Sequence, residues 1–381
     1  MSSAPRARLA PSPHENEIAS LLRLSARVGA DPLLVQASNG NTSIKLDGVL
    51  WIKASGKWLA NATREEILVL LAMADVRDSI QHDRAVALRH LPRNGLRPSI
   101  ETAMHAVLPH RVVLHVHSVN AIAWAVRLDG PAQLQERLGG LHWKWIPYAP
   151  SGVPLAREIA RAVAGAPETD VLVLGNHGLV VCGNDCASAE SLLAEVERRL
   201  AIVPRRASAP QRDLLQMIAR SSPWRFPILE SLHALGTDPV SLRILQSGIL
   251  YPCQAVFLGA TIPLLPSGCV TTDSTGCSNA GDTTRPFIVV EGSGVLVNEN
   301  ISTAERATLA ALLEVVQRTE ESAPLRYLTR AEITKVLTEY ATTYKPSATP
   351  ADQSSNPRAA ATAGLTAQTN SPNLNHCTEY D

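Results

Sequence analysis

Apolar residues recur at helical spacing over residues 17–28, and the pattern breaks at Gly29. From residue 36 the chain changes to turn residues and short alternating stretches, so that 42–46 and 49–53 read as two strands joined by the Asp47-Gly48 hairpin turn. The spacing then predicts helices over 64–71 and 99–108, a strand over 111–117 and a helix from Asn120. A helix over 153–163, an apolar run over 171–181 and a long helix over 187–202 follow. Alternation of this kind predicts an α/β domain. Residues 204–227, rich in Arg, Ser and Pro, read as a connector holding one short helix. Beyond it, short strands over 255–258, 287–291 and 295–297 and helices over 303–318 and 330–344 predict a smaller α+β lobe, with 267–284 as loop. The predicted organisation is a flexible N-terminus (1–15), an α/β domain (16–205), a connector (206–228), a C-terminal α+β lobe (229–345) and a disordered tail (346–381) that lacks apolar spacing.

Composition narrows the function classes. The 381 residues, 45% of them hydrophobic, suffice for a buried core. Lys and Arg total 35, as do Asp and Glu, so no global field draws the molecule to nucleic acid or to an acidic membrane, and an anionic ligand must be gripped locally. The apolar runs at 171–174 and 287–290 fall far short of the roughly 20 residues that span a bilayer. No sustained apolar stretch follows the N-terminal arginines, as a secretory signal requires. Cysteines 182, 186, 253, 269, 277 and 377 form no Cys-x-x-Cys pair, which fits free thiols in a reducing compartment; the cytoplasm is the expected location.

The first candidate chemistry lies in Val112-Val113-Leu114-His115-Val116-His117. A strand alternates its faces, so His115 and His117 point the same way, either as two satisfied polar residues or as half a metal site. The second is His177, set between Gly175 and Gly178 after an apolar run, where a sharp backbone turn can present the ring to a cleft. Three neutral imidazoles with open positions left over are what a catalytic zinc requires. Glu101 starts a helix just before the His-x-His strand and is placed either to serve the helix dipole or to reach a metal-bound substrate. His105, four residues on, reads as a structural histidine outside the metal set. Two small-residue turns, Asn39-Gly40-Asn41-Thr42-Ser43 and Lys53-Ala54-Ser55-Gly56-Lys57, can each cup a phosphate or carboxylate or serve only as turns.

In this order and spacing, over residues 15–205, these elements resemble the class II aldolase and adducin head-domain family. The resemblance implies a three-layer αβα fold with a central, mainly antiparallel sheet. It implies one Zn2+ per chain held by His115, His117 and His177, with Glu101 as the catalytic acid/base; that role asks for a pKa nearer neutrality than a free carboxylate's, which burial beside the cleft can supply against the opposing pull of zinc. It also implies that Asn41, Ser43, Ser55, Gly56 and Ser99 bind substrate. Ser99 is followed by Ile100 where relatives have a second serine, which leaves the phosphorylation of the substrate open. Tyr148 is the candidate for the family's proton-donating tyrosine. The implied activity is cleavage of a ketose or ketose phosphate through a metal-stabilised enediolate, in a homotetramer with a small sugar or sugar phosphate as its ligand. Alternatives on the same scaffold are a decarboxylase or epimerase of a sugar or sugar acid phosphate, and a non-catalytic adducin-like binding protein. A zinc hydrolase fits less well, because no His-Glu-x-x-His helix is present. The longer outline, including Trp51 to Leu59 and 286–290, is similar to the aldolase half of bifunctional rhamnulose-1-phosphate aldolase/dehydrogenase proteins. A Gly-x-Gly-x-x-Gly segment of the dehydrogenase half is absent, so the chain resembles the aldolase part standing alone.

Overall fold

The computed structural model of the chain describes residues 13–84, 95–220, 222–266, 282 and 284–344. The first helix, α1 (Pro13–Ala30), buries Leu21, Leu24 and Val28, one stripe at helical spacing, and carries Glu15 in its first turn and Arg27 in its last, both favourable to the helix dipole. The strands β1 (Asn41–Leu46) and β2 (Val49–Lys53) form the expected hairpin, with Asp47 and Gly48 both at positive φ as its tight turn requires. Then come β3 (Leu68–Ala72), α2 (Met73–Gln81), α3 (Thr102–Val107), β4 (Val112–Val116), α4 (Val119–Ala125), α5 (Gly130–Arg137), β5 (Trp143–Ile146), α6 (Val153–Ala164), β6 (Val171–Leu174), β7 (Gly178–Gly183) and α7 (Cys186–Leu200).

The seven strands make one sheet in the order β3-β2-β1-β4-β7-β6-β5, antiparallel at every pairing but the parallel β5–β6 edge. Strand alternation sorts its side chains into two layers. Val112, Leu114 and Val116 join Leu179 and Val181 under α1, α4, α5 and α7. Val113, Val180 and Cys182 face the other way, toward α3 and α6. The result is three layers, αβα, as expected.

Two sequence expectations are corrected. Residues 64–71 are not a helix: the strand β3 takes up 68–72 and α2 begins only at Met73, because Val69 and Leu71 bury while Leu70 is 50% exposed, and pairing with β2 selects that period of two over the helical one. Residues 255–258 are not a strand but belong to the helix α11 described below.

The second region holds α8 (Arg212–Ala219), β8 (Trp224–Arg225), α9 (Ala234–Thr237), α10 (Pro239–Ser247), α11 (Pro252–Leu258), β9 (Leu264–Leu265), β10 (Phe287–Val290), β11 (Gly294–Asn298), α12 (Thr303–Arg318) and α13 (Arg330–Tyr344). Helix α11 starts with Pro252, whose fixed φ suits a first helical position, and stops at Gly259 with φ +102°. A short apolar run does not choose its period; here Ala255 and Leu258 bury three residues apart. A four-stranded sheet, β8-β11-β10-β9, carries this region's core. Most of the predicted loop over 267–284 lies outside the described residues, as does the predicted disordered tail from 346.

The described residues up to Tyr340 form one compact unit, and α4 joins its two parts. Ala121, Trp124 and Ala125 pack into the first core, while Val119, Ile122 and Val126, the stripe on the opposite side, pack into the second. Because α4 directly follows the His-x-His strand, this shared helix brings the second region to that strand's end. Backbone approach there is close. A Cβ on Gly178 would lie 2.6 Å from the Val116 carbonyl oxygen, so Gly178→Ala is expected to destabilise the protein by about 1–3 kcal/mol, read as a lowered thermal midpoint.

Candidate metal centre

The register of the sheet assembles the site. Pairing of β1 with β4 sets Asn41 opposite His115, and Ser43 opposite Val113, on the face toward α3. Gly40, at φ +65°, lets β1 begin where any Cβ would come within 2.8 Å of the His115 carbonyl oxygen. His117 follows β4 by one residue, and the next, Ser118, caps α4 by accepting from the Ala121 amide at 3.1 Å. His177 sits in the three-residue turn between β6 and β7, where Asn176 takes a left-handed conformation, φ 52°, that asparagine tolerates. Glu101 stands immediately before α3.

These elements bring three rings and a carboxylate to one point. The imidazole centroids of His115, His117 and His177 lie 4.9–5.2 Å apart, with ring planes 69–80° from one another. His115 Nε2 is 3.1 Å from His117 Nε2, and Glu101 Oε1 lies 3.4 Å from His115 Nε2 and 3.0 Å from His177 Nε2. One ligand atom from each of the four lies within 4.8 Å of every other, and all four residues are buried. Burial, reinforced by His115 and His177, holds His117 well below the ordinary histidine pKa against the pull of Glu101, so the ring is neutral and its lone pair free for a metal. Among the described residues this cluster has the donor set of a divalent-metal site: borderline imidazole nitrogens and one hard oxygen, largely shielded from bulk water.

A second layer of hydrogen bonds holds Glu101. Asn41 Nδ2 donates to Glu101 Oε2 at 2.7 Å and to Ser99 Oγ at 3.3 Å; Ser99 Oγ also accepts from the Glu101 amide at 3.2 Å. Because the amide donates to a carboxylate, Asn41 Oδ1 must be its accepting end, and it receives His105 Nε2–H. His105 Nδ1 is then an acceptor, for the Ser43 hydroxyl at 2.7 Å. Burial keeps His105 well below its ordinary pKa, consistent with this neutral tautomer. Asn41→Ala strands both the Glu101 carboxylate oxygen and the His105 N–H, and is expected to lower stability by about 1–3 kcal/mol, seen as a reduced denaturant midpoint with an unchanged slope.

Residues 17–203 match the family described as the class II aldolase and adducin N-terminal domain. This segment belongs to that family. The chain is 31% identical over 183 residues to the uncharacterized oxidoreductase YuxG of Bacillus subtilis (strain 168), a match covering 44% of this chain and 26% of that protein; it thus spans about a quarter of that relative's length. It is 29% identical over 163 residues to the L-fuculose phosphate aldolase of Methanococcus vannielii, covering 42% of this chain and 80% of the relative. Among solved structures, the N-terminal class II aldolase domain of a protein from Thermoplasma acidophilum is 24% identical, with a TM-score of 0.41, over 52% of this chain and 98% of that one.

Within this class II aldolase domain, the structure brings Glu101, His115, His117 and His177 together and puts Asn41, Ser43 and Ser99 in the network behind Glu101. His105, read as structural, is fully bonded to protein and stands outside the imidazole cluster. The Ser55–Gly56 turn lies beside the segment leading to Ser99, through the Ser55 amide to the Arg97 carbonyl at 2.8 Å; Gly56, at φ +75°, faces open space. Tyr148 has other neighbours: its ring lies under the Arg326 guanidinium at 4.8 Å and packs on Ile249, Ala255 and Leu328, with burial pushing its hydroxyl up to about 12. The Glu101 carboxyl departs from the expected near-neutral pKa. Burial raises it, but His115 and His177 outweigh burial and hold it well below the usual carboxylate range.

Two residues near the histidine–glutamate cluster escaped the sequence reading. Lys53 is 2% exposed, and its ammonium donates to the carbonyls of Ser38 and Lys57, both at 2.6 Å, tying the two small-residue turns together. Burial lowers it to about 7 despite the charge of Glu101. Cys253, at the start of α11, places Sγ 3.3 Å from His117 Nδ1. A buried lysine in a strand carries a weak signal in its apolar neighbours Trp51 and Ile52; a cysteine 136 residues from its partner carries none.

Proposed function

We propose that the chain is a zinc-dependent aldolase cleaving a carbon–carbon bond of a ketose or ketose phosphate. The supporting observation is the buried convergence of three imidazoles and one carboxylate within 4.8 Å. In this reading His115, His117 and His177 hold one Zn2+ per chain, and Glu101 is the acid/base. Bound there, the ion supplies a Lewis acid for the substrate carbonyl and its neighbouring hydroxyl. Glu101 is anchored through Oε2 by Asn41, which leaves Oε1, on the imidazole side, to take the hydroxyl proton as the carbon–carbon bond breaks and return it to the carbon left with the electron pair. Ser99 Oγ accepts two protein hydrogen bonds and keeps its own proton to donate to a substrate oxygen. Ser55 and Gly56 form the proposed anion-binding turn, while Asn41 and Ser43 act on the substrate side through the network they make with Glu101, Ser99 and His105. Tyr148 is the candidate proton donor in this reading, its ring under the Arg326 guanidinium at 4.8 Å.

The test is a screen of ketose phosphates and free ketoses, with both fragments detected, run with and without a chelator. Equal yields of two carbonyl fragments, lost on chelation and restored by Zn2+, are expected. Carbon dioxide or an epimer without fragments would move the assignment to a decarboxylase or epimerase, and a purified protein that binds no divalent ion would favour an adducin-like binding role. No helix among the described residues is long and apolar enough to cross a membrane. The proposal includes a cytoplasmic homotetramer, for which light scattering giving four times the chain mass is expected.

A further inference from the structure

The metal reading above, on which this inference rests, fixes the orientation of each ring. The Nε2 atoms of His115, His117 and His177 face one another and Glu101 Oε1, so the Nδ1 atoms point away from the cluster. A neutral imidazole that gives its Nε2 lone pair to a metal carries its only proton on Nδ1. The acceptor met there sets the ring's orientation and tunes its strength as a ligand. For His115 the acceptor is the Leu179 carbonyl oxygen on neighbouring β7, 3.1 Å away and inside the same sheet. For His117 the group at that position is Cys253 Sγ at 3.3 Å, which comes from the C-terminal region. We propose that Cys253 is a positioning residue that accepts the Nδ1–H of His117, making the C-terminal region an integral part of the metal centre.

The surroundings of Cys253 hold it in place for this role. Gln254 Oε1 accepts from the Leu250 amide at 2.8 Å, folding residues 250–254 into a tight turn ahead of α11. The Leu250 carbonyl accepts from Asn176 Nδ2 at 2.8 Å, and the Arg326 carbonyl accepts from the same amide at 2.8 Å. Asn176 immediately precedes His177, so its side chain couples the His177 turn to the C-terminal region. One short segment therefore touches the bearers of two ligands, His117 through Cys253 and His177 through Asn176. A thiol sulfur is a weaker acceptor than a carbonyl, so it orients the ring without drawing off much of its proton.

The test compares full-length Cys253→Val, which keeps the bulk and loses the acceptor, with Cys253→Ser, which keeps an acceptor. Zinc affinity is measured by chelator competition. Cys253→Val is expected to bind zinc about 10–100-fold more weakly than the wild type, with Cys253→Ser recovering most of the loss. With Co2+ in place of zinc, the visible d–d bands should shift in Cys253→Val and return toward wild type in Cys253→Ser. Circular dichroism and thermal melting of the metal-free proteins report whether the fold is intact; if Cys253→Val does not fold, Cys253→Ala makes the same comparison with a smaller side chain. Wild-type affinity and unshifted cobalt bands in the acceptor-less variant, or equal weakening in Val and Ser variants, overturn the inference while leaving the metal reading intact. A wild-type protein that binds neither ion overturns the metal reading itself.

Discussion

Glu101→Gln is expected to reduce kcat by about two to four orders of magnitude while the protein retains its zinc. The substitution preserves size and leaves a side-chain oxygen that can still face Asn41 Nδ2, 2.7 Å from Oε2 in the wild type, so the supporting network keeps its shape. What disappears is the basic oxygen 3.0 Å from His177 Nε2, the one group in the cluster placed both to take and to return a proton. Three imidazoles remain to hold the ion, and removal of the negative charge is expected to change affinity far less than rate. Steady-state kinetics paired with metal analysis checks this, and a purified variant with unchanged turnover would falsify the acid/base role.

His117→Ala produces the other large effect, and on the metal rather than the chemistry. Loss of one of three neutral donors should weaken zinc binding by more than the roughly 100-fold upper limit typical of outer-layer partners, so the variant purifies metal-poor and inactive. His105→Phe is the control. That ring lies as deep in the protein, but both its nitrogens are bonded to Ser43 and Asn41, so the variant should keep stoichiometric zinc while losing stability. Stoichiometric zinc in His117→Ala would remove that residue from the ligand set. Equal metal loss in both variants would mean that general damage to the domain, and not ligand removal, sets the metal content.

Much of the fold follows from local pattern. The β1–β2 hairpin is legible because Asp47-Gly48 supplies the positive-φ turn between two alternating stretches. The long helices α7 and α12 are legible because each has an amphipathic stripe and a side-chain cap, Asp185 and Ser302 respectively. The failures have a common cause. Residues 68–71 and 255–258 are apolar runs too short to reveal their period, and the partner decides: β2 recruits the first as a strand, whereas Pro252 and the packing of Ala255 and Leu258 make the second a helix.

For the site, the chain's own periodicity already commits His115 and His117 to one face, since successive residues of any strand point to opposite sides. Glycines at 40 and 178 already mark where the backbone must come close. Tertiary structure alone decided the rest: that the turn bearing His177 closes on that pair, that Glu101 meets them through Oε1, that His105 is bonded to Ser43 and Asn41, and that a cysteine from the second region meets His117. Backbone geometry writes a period into neighbouring residues, and so it can be read locally. Which distant segments touch depends on strand register and on the packing of shared elements such as α4, and these follow from the energy of the whole core.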